Sequence, residues 1–266
     1  MSDVYADDIP DMDILTGGFP CQTFSARGKQ KGLGDPRGQL YLELVRILKM
    51  KQPKAFLFEN VAALVTMDGG RRNKRTEPLS AIVIGQTFKL MLEAFKEVGY
   101  HVSWRILNSR HWLPQMRERV YIIGIRKDLS SHGMLWENLG GEGNMTKGPG
   151  AESKVRDILE RPDSMAVAKA SLSQAQWDTI QAPEFEKKAG RWPSKKTASK
   201  LHERAIDLEG KAPTLTSSYH RSSSFSTKYI FEESDCRMRE IPRFLTPRGD
   251  LHMYTLYIDT QSLPYR

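Results

Sequence analysis

Thr16-Gly17-Gly18-Phe19-Pro20-Cys21-Gln22-Thr23-Phe24-Ser25 follows the run Met12 to Leu15, which reads as the end of a buried strand. Two glycines let the backbone turn where a side chain would clash. Pro20 fixes one dihedral just before Cys21, so the thiol stands on a stiff elbow at the carboxyl end of a strand. A thiol so placed is positioned for nucleophilic attack if a neighbour favours the thiolate. By itself a cysteine after a Gly-Gly turn also fits a small buried hydrophobe.

Working outward, residues 1–127 alternate strand and helix patterns. Asp13–Gly17 is a short strand, and Gln39–Lys51 places Leu40, Leu44, Ile47 and Leu48 at helical spacing. Lys54–Glu59 holds a continuous apolar run suited to a central parallel strand. Gln86–Val98 repeats the helical period, Gly99 stops it, and Tyr100–Leu107 and Val120–Ile125 are strand-like. Strand, helix, strand, helix, strand predicts an α/β fold with a doubly wound, Rossmann-like sheet. Residues 128–240 lose that rhythm and predict a smaller irregular lobe. Lys187, Lys188, Arg191, Lys195, Lys196, Lys200 and Arg204 crowd one stretch there with a single acid, Glu203. Basic, hydroxyl-rich sequence of this kind suits a grip on a phosphate backbone, or a solvated insertion.

The totals set bounds on function. The chain has 266 residues, 39% of them apolar, and a formal net charge of +8. A pI near 9.4 and a mean hydropathy of −0.51 favour a polyanionic partner over an apolar one. No apolar stretch approaches the roughly 20 residues that span a bilayer. The first 13 residues carry Asp3, Asp7, Asp8, Asp11 and Asp13, unlike a secretory or organelle signal. Two cysteines, Cys21 and Cys236, argue against a disulfide scaffold and suit a reducing compartment. Without Cys-x-x-Cys or His-x-x-x-His spacing, no metal site is expected.

Three further groups join Cys21. Glu59-Asn60-Val61 directly follows the Lys54–Phe58 run, and residues just past strand carboxyl ends line one crevice in a parallel sheet. Gln115-Met116-Arg117-Glu118-Arg119 opens the Val120–Ile125 strand, and two arginines at i, i+2 face one side of an extended segment. Ala212-Pro213-Thr214-Leu215-Thr216 and Pro242-Arg243-Phe244-Leu245-Thr246-Pro247-Arg248 follow. In this order, over roughly Asp13–Arg248, the motifs resemble those of cytosine-5 DNA methyltransferases.

The resemblance implies a DNA cytosine methyltransferase of the restriction-modification kind, acting on a base flipped from duplex DNA. It implies Cys21 as nucleophile, Glu59 as the acid at cytosine N3, and Arg117 and Arg119 as a clamp on base and backbone. Gln22 and Ser25 would steady the nucleophile loop, while Asn60, Gln115 and Thr214 join the substrate and DNA contacts. The Gly-rich basic segment Ala26–Gly38 would close over DNA. S-adenosylmethionine is the implied donor, with Phe19 and Pro20 at the edge of its pocket. The implied location is inside the cell with the DNA, in cytoplasm and nucleoid or in a nucleus.

The resemblance also has gaps. No Phe-x-Gly-x-Gly turn precedes Thr16, so the first strands of the sheet are expected to be missing, leaving an apolar face and an open edge. Gly249 stands where the family places a glutamate that caps a helix, and residues 241–266 read as a divergent terminal segment. The expected partners are double-stranded DNA and a complementary subunit supplying the cofactor half. The alternatives are an inactive truncated remnant that acts as a DNA-binding module, and a thiol hydrolase pairing Cys21 with His101 or His111.

Overall fold

The structure is a computed structural model, and it describes residues 5, 8–19, 40–72, 81–129, 150–181, 204–215, 228–231 and 244. The chain divides into two compact units, Met1–Asn108 with Glu118–Thr146, and Ser109–Arg117 with Lys147–Arg266.

The first unit is built on a four-stranded sheet. Its strands are β1 (Ile14–Gly18), β2 (Ala55–Val61), β3 (Tyr100–Asn108) and β5 (Glu118–Arg126), in the spatial order β1-β2-β5-β3. β1 runs parallel to β2, whereas β5 is antiparallel to both β2 and β3. The sheet is therefore mixed. The run 54–59, expected as a central parallel strand, has a parallel neighbour on one side and an antiparallel one on the other.

Residues opposite each other in register share a face, and alternate residues switch faces. Phe56, Phe58, Ile122, Val120 and Tyr100 thus share one face and are all buried. Helices α1 (Tyr41–Lys51) and α2 (Gln86–Glu97) cover it. α1 contributes Tyr41, Leu44 and Leu48, and α2 contributes Phe88, Met91, Leu92 and Phe95, to one continuous core. Phe56 stacks on Phe58 with centroids 4.5 Å apart, and Phe95 lies 5.3 Å and 5.4 Å from the two rings. Opposite Phe56 stands Gly124, where an added Cβ would come within 2.0 Å of the ring, so a side chain there would displace it.

The other face carries Leu57, Glu59, Tyr121, Arg119 and Arg105. Leu57 on this face is 36% exposed, and Ile14 on β1 is 61% exposed. Among the described residues β1 is a sheet edge, hydrogen-bonded to β2 alone.

The second unit has two small cores, Val155, Ile206, Ala212, Leu215 and Ile230, and Leu172, Trp177, Ile180 and Tyr229. Its described elements are β4 (Gln115–Met116), helices α3 (Met165–Ala170) and α4 (Gln174–Gln181), and β6 (Ala212–Pro213). β4 and β6 pair in parallel, Gln115 with Ala212 and Met116 with Pro213. Ser164 caps α3 by accepting from the Val167 N–H at 3.2 Å.

Candidate active site

Glu59 lies near the carboxyl end of β2, opposite Gly18 on β1 and Tyr121 on β5. Two register positions further, Val61 faces Arg119. The diagonal neighbours on this face meet: Arg119 Nε is 2.7 Å from Glu59 Oε1, with the guanidinium 17% and the carboxylate 42% exposed. Arg119 also donates from Nη1 to the Glu118 carbonyl at 2.7 Å. The guanidinium is thus held at two points, while the carboxylate still opens to solvent. A half-exposed carboxyl group beside a fixed guanidinium is free on its solvent side to hydrogen-bond a polar group.

Asn60 points to the opposite face and is buried. Its Nδ2 donates to the Phe19 carbonyl at 3.0 Å, and its Oδ1 accepts from the Val61 N–H at 2.8 Å. Both ends of the amide are used on backbone, so this residue ties the end of β1 to the strand bearing Glu59. Phe19 is itself 7% exposed and packs with its ring 6.4 Å from that of Tyr41. Gly18 permits the close pairing, because a Cβ there would lie 2.7 Å from the Glu59 carbonyl oxygen.

The first unit therefore brings Phe19, Glu59, Asn60 and Arg119 together. Pro20, Cys21, Gln22 and Ser25 lie outside the described residues, as do the segment 26–38, Cys236, the basic stretch 187–203, and residues 245–266. His101 sits on β3 opposite Ile125, and His111 in the second unit meets Trp112 edge to face, 5.8 Å between centroids.

Gln115, Arg117 and Thr214 belong to the second unit. Gln115 is fully buried, and its side-chain amide has no hydrogen-bond partner among the described residues. Ser109 organises the turn around it: its Oγ donates to the Gln115 carbonyl at 2.7 Å and accepts from the Arg117 N–H at 3.0 Å. Thr214 Oγ1 donates to the Met116 carbonyl at 2.8 Å. Arg117 belongs to the second unit and Arg119 to the first; β4 ends at Met116 and β5 starts at Glu118.

Two residues with no sequence-derived role border the site. Arg72 makes a two-pronged contact with Glu118, Nη1 to Oε2 at 3.2 Å and Nη2 to Oε1 at 3.3 Å. Glu118 stands inside the Gln115–Arg119 motif, but nothing in the sequence links it to a residue 46 positions earlier. Beside Phe19, a Cβ at Gly17 would meet nothing within 4 Å among the described residues. Among the described residues no group of three or more His, Cys, Asp or Glu could hold a metal ion, and no helix is long and apolar enough to cross a membrane.

Comparisons with known proteins agree on one family. The model of the C-5 cytosine-specific DNA methylase family matches residues 1–253. The type II methyltransferase M.NlaIV of Neisseria lactamica is 47% identical over 121 residues, 45% of this chain and 27% of that protein. M1.ScrFI of Lactococcus lactis subsp. cremoris is 40% identical over 183 residues, 68% of this chain and 40% of that protein. The matches thus span well under half of those relatives' own lengths.

Among solved structures, the Dnmt2 methyltransferase of S. pombe superposes with a TM-score of 0.61 at 16% identity, covering 96% of this chain and 70% of that one. The Entamoeba histolytica methyltransferase EhMeth gives 0.56 at 15% identity, covering 95% and 69%. At such identities the likeness is one of fold, and it agrees with a partial Rossmann-like sheet. With motifs, fold and family model in accord, the chain belongs to the C-5 cytosine-specific DNA methylases, a class of transferase that moves a methyl group from a donor to DNA.

Proposed function

We propose that this chain carries the cytosine chemistry of a DNA (cytosine-5-)-methyltransferase. The observation that supports it most is the meeting of Glu59 with Arg119 on the strand whose next residue, Asn60, holds the Phe19 carbonyl. Cys21 follows Phe19 by two peptide bonds, so its thiol is tethered to that end of the sheet.

In this reading Cys21 adds as thiolate to C6 of an extruded cytosine, and the ring becomes an enamine-like nucleophile at C5. Glu59, as the carboxylic acid, donates its proton to N3 and so neutralises the negative charge that thiolate addition places on the ring. Arg119 fixes the Glu59 carboxylate, and Arg117 contacts the base or its backbone. Loss of the C5 proton then expels the thiolate from C6. S-adenosylmethionine supplies the methyl group, with Phe19 and Pro20 on its side of the site. Gln22 and Ser25 support the nucleophile loop. Asn60 serves the substrate site by holding that loop's first carbonyl, and Gln115 and Thr214 shape the turn leading to Arg117. The second unit serves target recognition on duplex DNA, which the +8 net charge favours.

The exposed Leu57 and Ile14 favour one addition. This sheet face and the β1 edge are covered in the working enzyme by the donor-binding part of the fold, on this polypeptide or on a complementary subunit. Duplex DNA containing 5-fluorocytosine tests the reading, because fluorine at C5 blocks the final elimination. A denaturation-resistant protein–DNA adduct that needs S-adenosylmethionine and is abolished by Cys21→Ala is expected. Retained DNA binding with no adduct, even with the donor-binding part supplied, would leave only a DNA-binding module.

A further inference from the structure

Ser109 and Arg117 stand eight positions apart in the second unit, and the serine grips the arginine backbone at both of its polar groups. The Ser109 N–H donates to the Arg117 carbonyl at 3.0 Å, and the Arg117 N–H donates to Ser109 Oγ at 3.0 Å. The hydroxyl passes its own proton to the Gln115 carbonyl at 2.7 Å, so it donates once and accepts once. The Ser109 carbonyl accepts from the Trp112 and Leu113 N–H groups at 2.9 and 2.8 Å, which folds the chain back between the two residues.

The short strand leading to Arg117 is fixed as completely. The Pro114 carbonyl accepts from the Ala212 N–H at 2.8 Å, and the Met116 carbonyl from Thr214 Oγ1 at 2.8 Å. With Gln115 and Arg117 held by Ser109, every carbonyl of residues 114–117 has a donor. Backbone so saturated has no low-cost alternative, because each change leaves a polar group without its partner. The Arg117 side chain is the opposite case. It is partly exposed, and among the described residues its guanidinium makes no hydrogen bond or ion pair. A free cation on a pinned backbone is presented rather than packed, and much of its ordering precedes the ligand.

We infer that Ser109 is a positioning residue: its hydroxyl and amide set the backbone of Arg117 so that the guanidinium meets the duplex substrate. This rests on the reading of Arg117 as a contact to the base or its backbone. Alanine at this position keeps the bond from the residue 109 N–H but strands the Arg117 N–H and the Gln115 carbonyl, and the turn then relaxes with Arg117 on it.

The test is a cycle of wild type, Ser109→Ala, Arg117→Ala and the double variant. Adduct formation on 5-fluorocytosine duplex is followed over a range of duplex concentrations, which separates the maximal rate constant from the half-saturating concentration. A less stable fold lowers the amount of adduct but neither of those constants. Ser109→Ala is expected to worsen, by about tenfold, whichever constant Arg117→Ala worsens. In the Arg117→Ala background the same change is expected to alter it by less than about twofold. No loss, or an equal loss in both backgrounds, overturns the proposal and marks the hydroxyl as general support of the turn. An Arg117→Ala that matches wild type overturns it too, while the adduct itself keeps the cysteine chemistry standing. If Ser109→Ala does not fold, Ser109→Cys takes its place under the same rule, a thiol being a weak donor and acceptor. Should wild type form no adduct even with the donor-binding part supplied, the methyltransferase reading fails and duplex affinity is compared across the four proteins instead. A loss in Ser109→Ala that vanishes in the Arg117→Ala background then upholds the positioning contact, and any other pattern overturns it.

Discussion

Glu59 and Arg119 pair diagonally across β2 and β5, two register positions apart, with Nε 2.7 Å from Oε1. The diagonal matters because a directly opposed pair would point both groups straight out from the sheet. Arg119 instead leans along the strand toward Glu59 and keeps a second hold on the Glu118 carbonyl. Diagonal neighbours in a sheet lie about 7–8 Å apart at the backbone, within the reach of a long side chain.

That geometry makes the two residues one unit rather than two. Glu59→Gln is expected to slow adduct formation on 5-fluorocytosine duplex by about 10²–10⁴-fold, the range for a positioned proton-transfer group. Arg119→Ala is expected to fall in the same range. The double variant should cost little more than either single, because each alone already breaks the pair. Rate constants from quenched time courses on the four proteins check this, and fully additive losses would contradict a shared role.

Gly18 and Gly17 are adjacent and alike in sequence, yet their surroundings differ. A Cβ at Gly18 meets the Glu59 carbonyl oxygen at 2.7 Å, whereas one at Gly17 meets nothing within 4 Å. Gly18→Ala must push β1 off β2 and is expected to cost about 1–3 kcal/mol, the range for overpacking. Gly17→Ala is expected to leave stability unchanged or raise it by up to about 1 kcal/mol through the unfolded chain. Urea unfolding of both variants gives the comparison. Equal losses would mean that the strand tolerates no side chain at either position.

The strand that carries Glu59 and Asn60 is legible in the sequence, and what is not legible has physical causes. Glu59 and Asn60 stand out because a continuous apolar run ends in two polar residues, which marks a buried strand arriving at a surface. The direction of β5 is not legible: the apolar residues of Val120–Ile125 read the same in a parallel as in an antiparallel neighbour. Nor is the inward turn of Asn60, whose type suits a substrate contact as well as a backbone tie. The boundary between β4 and β5 at Arg117 leaves no mark in the sequence, where Gln115–Arg119 reads as one lead into the following strand. The Arg72–Glu118 fork spans 46 positions and leaves no local pattern at all.

The core beneath the site makes a prediction about pH. Tyr100 is fully buried and donates to the Pro53 carbonyl at 2.7 Å. Burial pushes its phenol from 10.0 up to about 12; Asp128 adds to the rise and Arg126 opposes it. The folded state therefore keeps a proton that the unfolded chain releases above pH 10. Unfolding is favoured as pH rises, and the contribution, on the order of 2 kcal/mol, is present below pH 10 and lost by about 12. Tyr100→Phe should be less stable at neutral pH, having orphaned the Pro53 carbonyl, but should lose less stability between pH 10 and 12. Denaturant midpoints at four or five pH values distinguish the two slopes.

Asn60 separates support of the site from contact with the substrate. Its amide is saturated by the Phe19 carbonyl and the Val61 N–H, and it is buried on the face turned away from Glu59. Asn60→Ala removes both partners and leaves a buried donor and a buried acceptor unpaired, a change expected to cost about 1–3 kcal/mol. Asn60→Asp keeps the acceptor for Val61 but sets an oxygen against the Phe19 carbonyl, and like dipoles at 3 Å should make it at least as harmful. Because the tie holds the residue two peptide bonds before Cys21, both variants are expected to slow adduct formation while duplex affinity changes by less than about threefold. A residue that touched the DNA would do the reverse, weakening binding and its salt dependence together. Filter binding at several salt concentrations, run beside the adduct time course, decides: a lowered affinity at an unchanged adduct rate would move Asn60 from the frame of the site into its contact surface.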